Sequence, residues 1–291
     1  MKMLVFGSLN IDHVYRMDHL VKEGETLSSV SYQKNAGGKG FNQAVALARA
    51  GMQVWFAGSR GKDGGFLQEY LESEKIDTHW LTEAEDVTGH AIIQVDAGGR
   101  NSIILYGGAN QKITKAQIDE TLRDFGSGDA VLVQNEISNV DHLIRSAKER
   151  EMEVYLNPSP MSEELFCWPL ECVDLFIMNE IEGKELTGET EPERILEAMK
   201  IKYPSAGTVL TLGEQGAYYS DRNGNVFQQA IRTEVVDTTA AGDTFTGYFL
   251  ASARSGAVPA ESLYLAAKAA SMAVSRNGAA KSIPCRSEIS E

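Results

Sequence analysis

Short apolar segments alternate with amphipathic segments of helix length along most of this chain, and this alternation constrains the fold more than any other feature. The strand-like apolar runs occupy residues 3–7, 130–133, 154–156, 175–178 and 209–212. Apolar residues at helical spacing recur in 41–48 and 263–274, which predicts two helices that each bury one face. Strands that alternate with helices predict an α/β fold in which helices cover a mainly parallel sheet.

Two segments depart from this alternation and predict a second, smaller sheet. Residues 12–35 and 88–107 are polar and strand-like, without helical spacing. We expect them to form one small β-layer that serves as a lid. An isolated sheet of few strands leaves a face or its edges in need of cover, so the same layer is a candidate surface for a homodimer. A separate hairpin is predicted around Asn-Gly in 221–225, with positive φ at that pair.

Composition favours a single cytoplasmic domain that spans residues 1–291. A chain with 43% hydrophobic and 23% charged residues can bury a large core. The formal charge of −14 disfavours nucleic acid and anionic membranes as partners. Three cysteines in no paired pattern, Cys167, Cys172 and Cys285, suit a reducing compartment. The first residues turn polar too early for a signal peptide, so we expect a soluble, unprocessed chain.

A glycine-rich segment at residues 35–42, Asn-Ala-Gly-Gly-Lys-Gly-Phe-Asn, leads directly into the predicted helix at 41–48. Its glycines allow backbone amides to approach a ligand at the positive end of a helix dipole. The spacing matches neither a Walker A loop nor the three-glycine dinucleotide fingerprint. A tight helix entry without a ligand remains the alternative interpretation.

The segment 237–247, Asp-Thr-Thr-Ala-Ala-Gly-Asp-Thr-Phe-Thr-Gly, follows a strand-like stretch at 233–236 and precedes an apolar helix. Its small residues, Ala240, Ala241 and Gly242, leave the first amides of that helix open to an anion. Asp243 then falls in the first helical turn, where its carboxylate can face whatever reacts at the anion hole. An aspartate at a helix start is often only a cap, and the small residues before it favour a functional role.

Together, the glycine-rich segment and the segment around Asp243 resemble the two signatures of the ribokinase family of carbohydrate kinases. The resemblance spans almost the whole chain, including Gly7-Ser-Leu-Asn-Ile-Asp12 and Gly107-Gly-Ala-Asn110. It implies a three-layer α/β/α domain with a small β-sheet lid. It also implies an ATP-dependent kinase that phosphorylates a primary hydroxyl of a sugar. Gly38-Lys-Gly-Phe-Asn-Gln43 resembles the form of the signature that goes with ribose, at O5.

The resemblance implies roles for individual residues. Those implied to bind the sugar are Asn10, Asp12, Gly38, Lys39, Asn42, Glu136 and Asp243. Those implied to bind the nucleotide are Asn179, Thr211, Gly213, Gly216, Gly242 and Ala267. Glu182, in an Asn-x-x-Glu motif with Asn179, would act on Mg²⁺ indirectly. A site for K⁺ as an activator would be built from Asp237, Thr239, Ala273, Arg276, Gly278 and Ser282.

The family chemistry implied here is in-line phosphoryl transfer, with Asp243 as the catalytic base and Ala240, Ala241 and Gly242 as the anion hole. Phe41, Asn135 and Met178 stand where the family usually has other residues. Two alternatives stay open at this point. One is the same chemistry on a hexose such as fructose, a nucleoside or a sugar phosphate; the other is a non-catalytic sensor that binds sugar or nucleotide on this scaffold.

Overall fold

The computed structural model describes residues 1–289 and contains a large and a small sheet. In chain order the strands are β1 (Met3–Phe6), β2 (Asn10–Arg16), β3 (Ser31–Gly37), β4 (Val54–Arg60), β5 (Asp77–Glu83), β6 (Gly89–Val95), β7 (Asn101–Tyr106), β8 (Ala130–Gln134), β9 (Glu153–Asn157), β10 (Leu175–Asn179), β11 (Gly207–Thr211), β12 (Gly216–Asp221) and β13 (Gly224–Gln229).

The α-helices are α1 (Lys39–Arg49), α2 (Gly65–Ser73), α3 (Lys115–Leu122), α4 (Val140–Glu149), α5 (Glu180–Thr187), α6 (Pro192–Lys202), α7 (Ala241–Arg254), α8 (Pro259–Val274) and α9 (Arg286–Ile289). None of the described helices combines the length and the apolar character needed to cross a bilayer.

The large sheet is mainly parallel, as predicted. Its strand order is β13-β12-β11-β10-β9-β8-β1-β4-β5, and only β12 and β13 run antiparallel to their neighbours. Alternate residues of β1 enter separate cores, with Met3 and Val5 on one face and Leu4 and Phe6 on the other. Helices α1, α2, α7 and α8 contribute to the first core, and α3 to α6 contribute to the second. These two cores confirm the three-layer α/β/α architecture.

The small sheet joins the two polar segments in one layer, also as predicted. Its strand order is β3-β2-β6-β7, with β2 and β6 parallel and the outer pairs antiparallel. Strand β2 begins at Asn10, so the polar residues that follow β1 are carried directly into this sheet. The connection from the large sheet to the small one is therefore only a few residues long.

Helix α1 differs from its predicted amphipathic form. Every residue from Gly40 to Leu47 is buried, because α1 lies between the sheet and α7. The contact with α7 is close at Gly247, where a Cβ atom would lie 2.4 Å from the Cβ of Ala46. Helix α8, in contrast, buries one face, as its spacing predicts.

One local prediction was wrong, and another was confirmed in part. Residues 233–236 form no strand: Val235 and Val236 are exposed, and the backbone bonds found here within residues 1–289 are those that Val236 N and Asp237 N donate to Val274 O, at 2.8 and 3.1 Å. A β-branched run makes a strand only when a neighbouring strand is available to pair with it. The hairpin at 221–225 does form, but Gly224 alone has positive φ, at 141°.

Candidate active site

The polar residues that follow β1 and β8 meet the start of α1 at one edge of the large sheet. Glu136 Oε2 accepts a hydrogen bond from the Lys39 amide at 2.9 Å and another from Ser8 Oγ. Gly40 is required here, because a Cβ atom on it would lie 2.5 Å from Ser8 N. The glycine-rich segment therefore lets α1 pack against the backbone that follows β1, and this contact places Lys39 beside Glu136.

Asn10 and Asp12 extend this cluster along β2. Asn110 Nδ2 donates to Asn10 Oδ1 at 2.9 Å, while Asn110 Oδ1 accepts from Leu9 N at 3.1 Å. Asn110 is buried and fixes the Asn10 side chain. Sequence reasoning gave Asn110 and Ser8 no individual role, although both lie in segments that carry the family resemblance.

Two carboxylates, Asp12 and Glu136, belong to this cluster, and the pKa of each is raised. Burial, and then the negative charge of Glu136, raise the pKa of Asp12 to about 7. Burial also raises the pKa of Glu136, although the hydrogen bond from Ser8 and the charge of Lys39 act in the opposite direction. Neighbouring acceptors of this kind suit a ligand that donates several hydroxyl protons, such as a polyol.

Lys39 connects this cluster with the rest of the site. Burial by itself would lower the pKa of its ammonium group. The negative charges of Asp243, Glu136 and Glu182 outweigh burial, and the pKa rises above the ordinary lysine value. Lys39 is therefore a cation held among three carboxylates that come from three different elements.

Asp243 is the third residue of α7, and its buried carboxylate meets α1. Asn42 Nδ2 donates to Asp243 Oδ2 at 3.0 Å, and Gln43 Nε2 donates to Asp243 Oδ1 at 2.8 Å. Gly247, one turn further along α7, allows the close approach of the two helices that makes these bonds possible. The sequence led us to assign Asn42 and Asp243 separately to sugar binding, and it gave no role to Gln43.

The start of α7 presents free backbone donors beside this carboxylate. The Ala241 amide donates to Thr238 O at 3.2 Å, and the Thr244 amide donates to Ala240 O at 2.8 Å. Within residues 1–289 the Gly242 and Asp243 amides have no acceptor. Ala240 is left-handed, at φ 60°, and Gly242 is exposed with open space around it. Free amides at a helix N-terminus favour a bound anion.

The residues implied for the nucleotide lie on the neighbouring strand ends. Asn179 and Thr211 are paired across β10 and β11. Asn179 caps α5 in a capping box with Glu182, whose two carboxylate oxygens accept from Asn179 N and Nδ2, both at 3.0 Å. Gly213 and Gly216 have φ of 53° and 130°. Ala267 lies on the buried face of α8, among core side chains.

Three of the six residues implied for a monovalent cation, Asp237, Thr239 and Gly278, are joined by hydrogen bonds. Asp237 Oδ1 accepts from Thr239 N and Oγ1 at 2.9 and 2.6 Å, and Oδ2 accepts from Gly278 N at 3.0 Å. Burial opposes ionisation, but these hydrogen bonds lower the pKa of Asp237 below its ordinary value. The Arg276 side chain pairs with Glu288 at 2.7 Å, and Ser282 Oγ donates to Ala279 O at 2.8 Å.

Within residues 1–289 the side chains of the three residues that differ from the family pattern make no hydrogen bond to the polar cluster, although the Phe41 amide donates to Ser8 O at 2.9 Å. Phe41 is fully buried and packs on the ring of Tyr70. Met178 lies in the core on the opposite face of the sheet. Asn135 Nδ2 donates to Pro160 O at 2.6 Å and to Ser162 Oγ at 3.0 Å. These departures from the family pattern therefore alter side-chain packing around the site, while the polar contacts of Phe41 and Met178 with Ser8 and Thr211 use only the backbone atoms of Phe41 and Met178.

Known proteins are similar to this chain in both sequence and fold. The model of the pfkB family carbohydrate kinases matches residues 1–286. A ribokinase from Haemophilus influenzae is 35% identical, over 99% of this chain and 96% of its own.

Two solved structures superpose on nearly the whole chain. Ribokinase from Arabidopsis thaliana, complexed with ribose and ATP, is 32% identical with a TM-score of 0.87, over 99% of this chain and 97% of its own. Ribokinase from Cryptococcus neoformans var. grubii, in complex with ADP, is 33% identical with a TM-score of 0.86, over 99% and 98%. This chain therefore belongs to the pfkB family of carbohydrate kinases.

Proposed function

We propose that this chain is an ATP-dependent ribose kinase, which transfers the γ-phosphoryl group of ATP to O5 of D-ribose. One observation carries the proposal: the Asp243 carboxylate lies beside the free amides of Gly242 and Asp243 and is bonded to the helix that bears Lys39. A candidate base, Asp243, thus lies next to a candidate anion hole and near the cation Lys39. The ribokinases at 32–35% identity, one of them complexed with ribose and ATP, support ribose as the acceptor.

In the proposed reaction Asp243 accepts the proton of the ribose O5 hydroxyl as that oxygen attacks the γ-phosphorus. The bond between the γ-phosphorus and the bridging oxygen breaks, and ADP leaves with the electron pair. The free amides at the start of α7 and the Lys39 ammonium stabilise the charge on the transferring group. Catalysis then depends mainly on positioning and on fixed charge.

Sugar binding is assigned to Lys39 and to the cluster around it. Asp12 and Glu136 accept hydrogen bonds from sugar hydroxyl groups, and Asn10 and Asn42 supply amide groups. Asn42 Oδ1 is buried without a hydrogen-bond partner within residues 1–289, which is consistent with an acceptor reserved for a substrate hydroxyl. Gly38 contributes its backbone at the start of α1. The nucleotide is assigned to Asn179, Thr211, Gly213, Gly216, Gly242 and, through packing only, Ala267.

The residues present fit the metal ions that the family resemblance implies. Mg²⁺ keeps several of its waters, and Glu182 retains lone pairs beyond those used by Asn179, so Glu182 would hold the ion through water. For K⁺, Asp237 would supply one carboxylate, and hydroxyl or carbonyl oxygens would come from Thr239, Ala273, Arg276, Gly278 and Ser282. A single charge among neutral oxygens suits K⁺. Mg²⁺ neutralises phosphate charge, and K⁺ would order the segment before α7.

The experiment is ADP release by the purified chain with MgATP, with and without K⁺, across ribose, 2-deoxyribose, fructose, nucleosides and ribose 5-phosphate. Ribose should give the highest kcat/KM, and K⁺ should raise it. Phosphorus–proton correlation NMR should locate the phosphate on C5. A chain that binds ribose and ATP but turns over none of the acceptors would be a sensor, and the kinase proposal would be lost. Preference for fructose, a nucleoside or ribose 5-phosphate would retain the chemistry and reject ribose.

We further propose that residues 1–291 act as one kinase domain, with 12–35 and 88–107 as the lid, in a cytoplasmic homodimer. Apolar side chains exposed on the small sheet, Ile103, Ile104 and Leu105 among them, support dimerisation through the lid. The free thiols of Cys167, Cys172 and Cys285 are consistent with a reducing compartment. Light scattering should give twice the chain mass, and Leu105→Arg should give the monomer; a wild-type monomer at micromolar concentration would reject the dimer.

A further inference from the structure

A chain of buried amides leads from the large sheet to the Asp243 carboxylate. Gln134, the last residue of β8, donates from Nε2 to Gln43 Oε1 at 2.7 Å. Gln43, on α1, donates from Nε2 to Asp243 Oδ1 at 2.8 Å. Both glutamines are 1% exposed, so water does not compete for these bonds. The proposed sugar and nucleotide contacts use neither side chain.

The donor and acceptor directions of these two hydrogen bonds are set by Asp243, where the row of amides ends. An ionised carboxylate only accepts hydrogen bonds, so Gln43 must turn its NH₂ group toward Asp243. The Gln43 oxygen then faces Gln134, which must in turn present its own NH₂ group. Each amide therefore has one favourable orientation, and a flip of either would bring two acceptors or two donors together.

The far end of the chain is fixed by packing. Gln134 Oε1 is buried without a hydrogen-bond partner within residues 1–289 and lies against Gly7. A Cβ atom on Gly7 would come within 2.4 Å of this oxygen. Gly7 thus makes room for the Gln134 side chain, which cannot move away from Gln43 without meeting the backbone that follows β1.

Asn42 bonds the other carboxylate oxygen but is not held in the same way. It donates to Asp243 Oδ2, and its own Oδ1 has no partner among the described residues. We assign Asn42 to the sugar, so its bond to Asp243 can be exchanged for one to a substrate hydroxyl. Gln43 has no such freedom, because Gln134 holds its second group.

We infer that Gln43 is a positioning residue for the catalytic base and that Gln134 acts through Gln43. This inference rests on the proposed role of Asp243. Gln43 fixes the rotation of the carboxylate while Asn42 changes partners, so that an Asp243 oxygen meets the O5 hydroxyl in line with the γ-phosphorus. Release of a positioned catalytic group by about 1 Å lowers turnover by roughly 100-fold.

The test is a double-mutant cycle on kcat for ribose phosphorylation. Gln43→Met keeps the volume of the side chain and removes both amide groups; we expect kcat to fall by about 10- to 100-fold with ribose affinity nearly unchanged. Gln134→Met should cause a smaller fall. The double variant should be no slower than Gln43→Met, because Gln134 acts only through Gln43.

Gln117→Met is the matched control. The half-buried Gln117 side chain donates hydrogen bonds to Gly58 O and Thr82 Oγ1, and its loss should leave kcat unchanged.

A second variant tests the donor itself and remains informative if Gln43→Met fails to fold. The carboxyl group introduced by Gln43→Glu can donate to Asp243 only while it is protonated. Turnover relative to wild type should therefore fall as pH rises, whereas the deficit of Gln43→Met should be the same at every pH. Thermal unfolding and calorimetric ribose binding are measured for each variant.

The outcomes separate this inference from the proposed function. If wild type phosphorylates ribose and Asp243→Asn retains only a small residual kcat, the proposed function stands, and Gln43→Met placed on Asp243→Asn should lower this residual kcat no further. In that case, any of three results would overturn the positioning role. Gln43→Met could have the kcat of wild type, or the fold-losses in kcat of Gln43→Met and Gln134→Met could multiply in the double variant. The kcat of Gln43→Glu relative to wild type could also be independent of pH. No ribose turnover by wild type would instead remove the function on which the inference rests.

Discussion

Asn42 Nδ2 lies 3.0 Å from Asp243 Oδ2, although the two residues are 201 positions apart in the chain. This bond joins the two signature segments and brings the proposed sugar site to the proposed base. It exists because α1 and α7 pack directly on each other, with Gly247 at the contact. The site is therefore a product of helix packing as much as of the motifs themselves.

Asp243→Asn should reduce kcat by about 10²- to 10⁴-fold, the range expected when a general base is lost. Binding of ribose and ATP should stay within a few-fold of wild type, because the base acts mainly in the transition state. Steady-state ADP release gives kcat, and calorimetry gives the two dissociation constants.

Asp141→Asn is the matched control for this change, since Asp141 also lies in the first turn of a helix, α4, and has no proposed role. Its kcat should equal that of wild type. A comparable loss in both variants, or loss of ribose binding in Asp243→Asn, would mean that Asp243 is a structural residue.

The Asn179–Glu182 pair allows its structural and proposed catalytic roles to be separated. Glutamine can replace glutamate in a capping box, but it offers one acceptor where Glu182 offers two to Asn179, so Glu182→Gln should lower the free energy of unfolding by about 1 kcal/mol. Its lower charge should raise the Mg²⁺ concentration needed for half-maximal activity. Asn179→Ala should likewise cost about 1 kcal/mol of stability through the lost cap.

Urea unfolding and Mg²⁺ titrations of ADP release check these expectations. The role of Glu182 would be structural alone if Glu182→Gln kept the wild-type Mg²⁺ dependence, and the capping box would be unimportant if Asn179→Ala unfolded like wild type.

The raised pKa of Asp12 predicts how the stability of the fold changes with pH. The folded chain holds a proton on Asp12 up to a pH of about 7, whereas the ordinary aspartate value is 3.8. This proton stabilises the folded state below about pH 4, and the contribution is lost as pH rises through about 7. Asp12→Asn removes the penalty of ionisation, so its stability relative to wild type should increase between about pH 4 and 7 and level off above that, by a few kcal/mol at most.

Asp96→Asn is the control of opposite sign. Burial opposes ionisation of Asp96, but its hydrogen bonds with Arg100 and Gly98 lower the pKa below the ordinary value. The stability of this variant relative to wild type should stay constant between about pH 5 and 8 and change only at lower pH. Denaturant unfolding at several pH values measures both, and a flat difference for Asp12→Asn would contradict its raised pKa.

The sequence predicted the layers of this fold and most of the polar residues of the site, because apolar spacing and signature motifs are local in the chain. It missed features that depend on distant neighbours. Residues 233–236 have strand composition but no strand to pair with, and α1 is buried on all sides because α7 covers it. Gln43 and Gln134 look like ordinary polar residues until the fold brings them to Asp243. No local pattern carries that information.

Gly247→Ala should damage both stability and catalysis. The added Cβ would lie 2.4 Å from Ala46 Cβ and 2.8 Å from Leu47 N, so α1 and α7 must move apart. Overpacking of this kind costs about 1–3 kcal/mol of stability, although alanine has the better helix propensity. The same separation would lengthen the bonds from Asn42 and Gln43 to Asp243, and kcat should fall by about 10-fold or more.

Gly65→Ala is the control, because a Cβ at this first residue of α2 meets nothing within 4 Å and should leave kcat unchanged. Denaturant unfolding and ADP release are measured on both variants; a Gly247→Ala enzyme as active and as stable as Gly65→Ala would show that the close packing of α1 on α7 does not position the base.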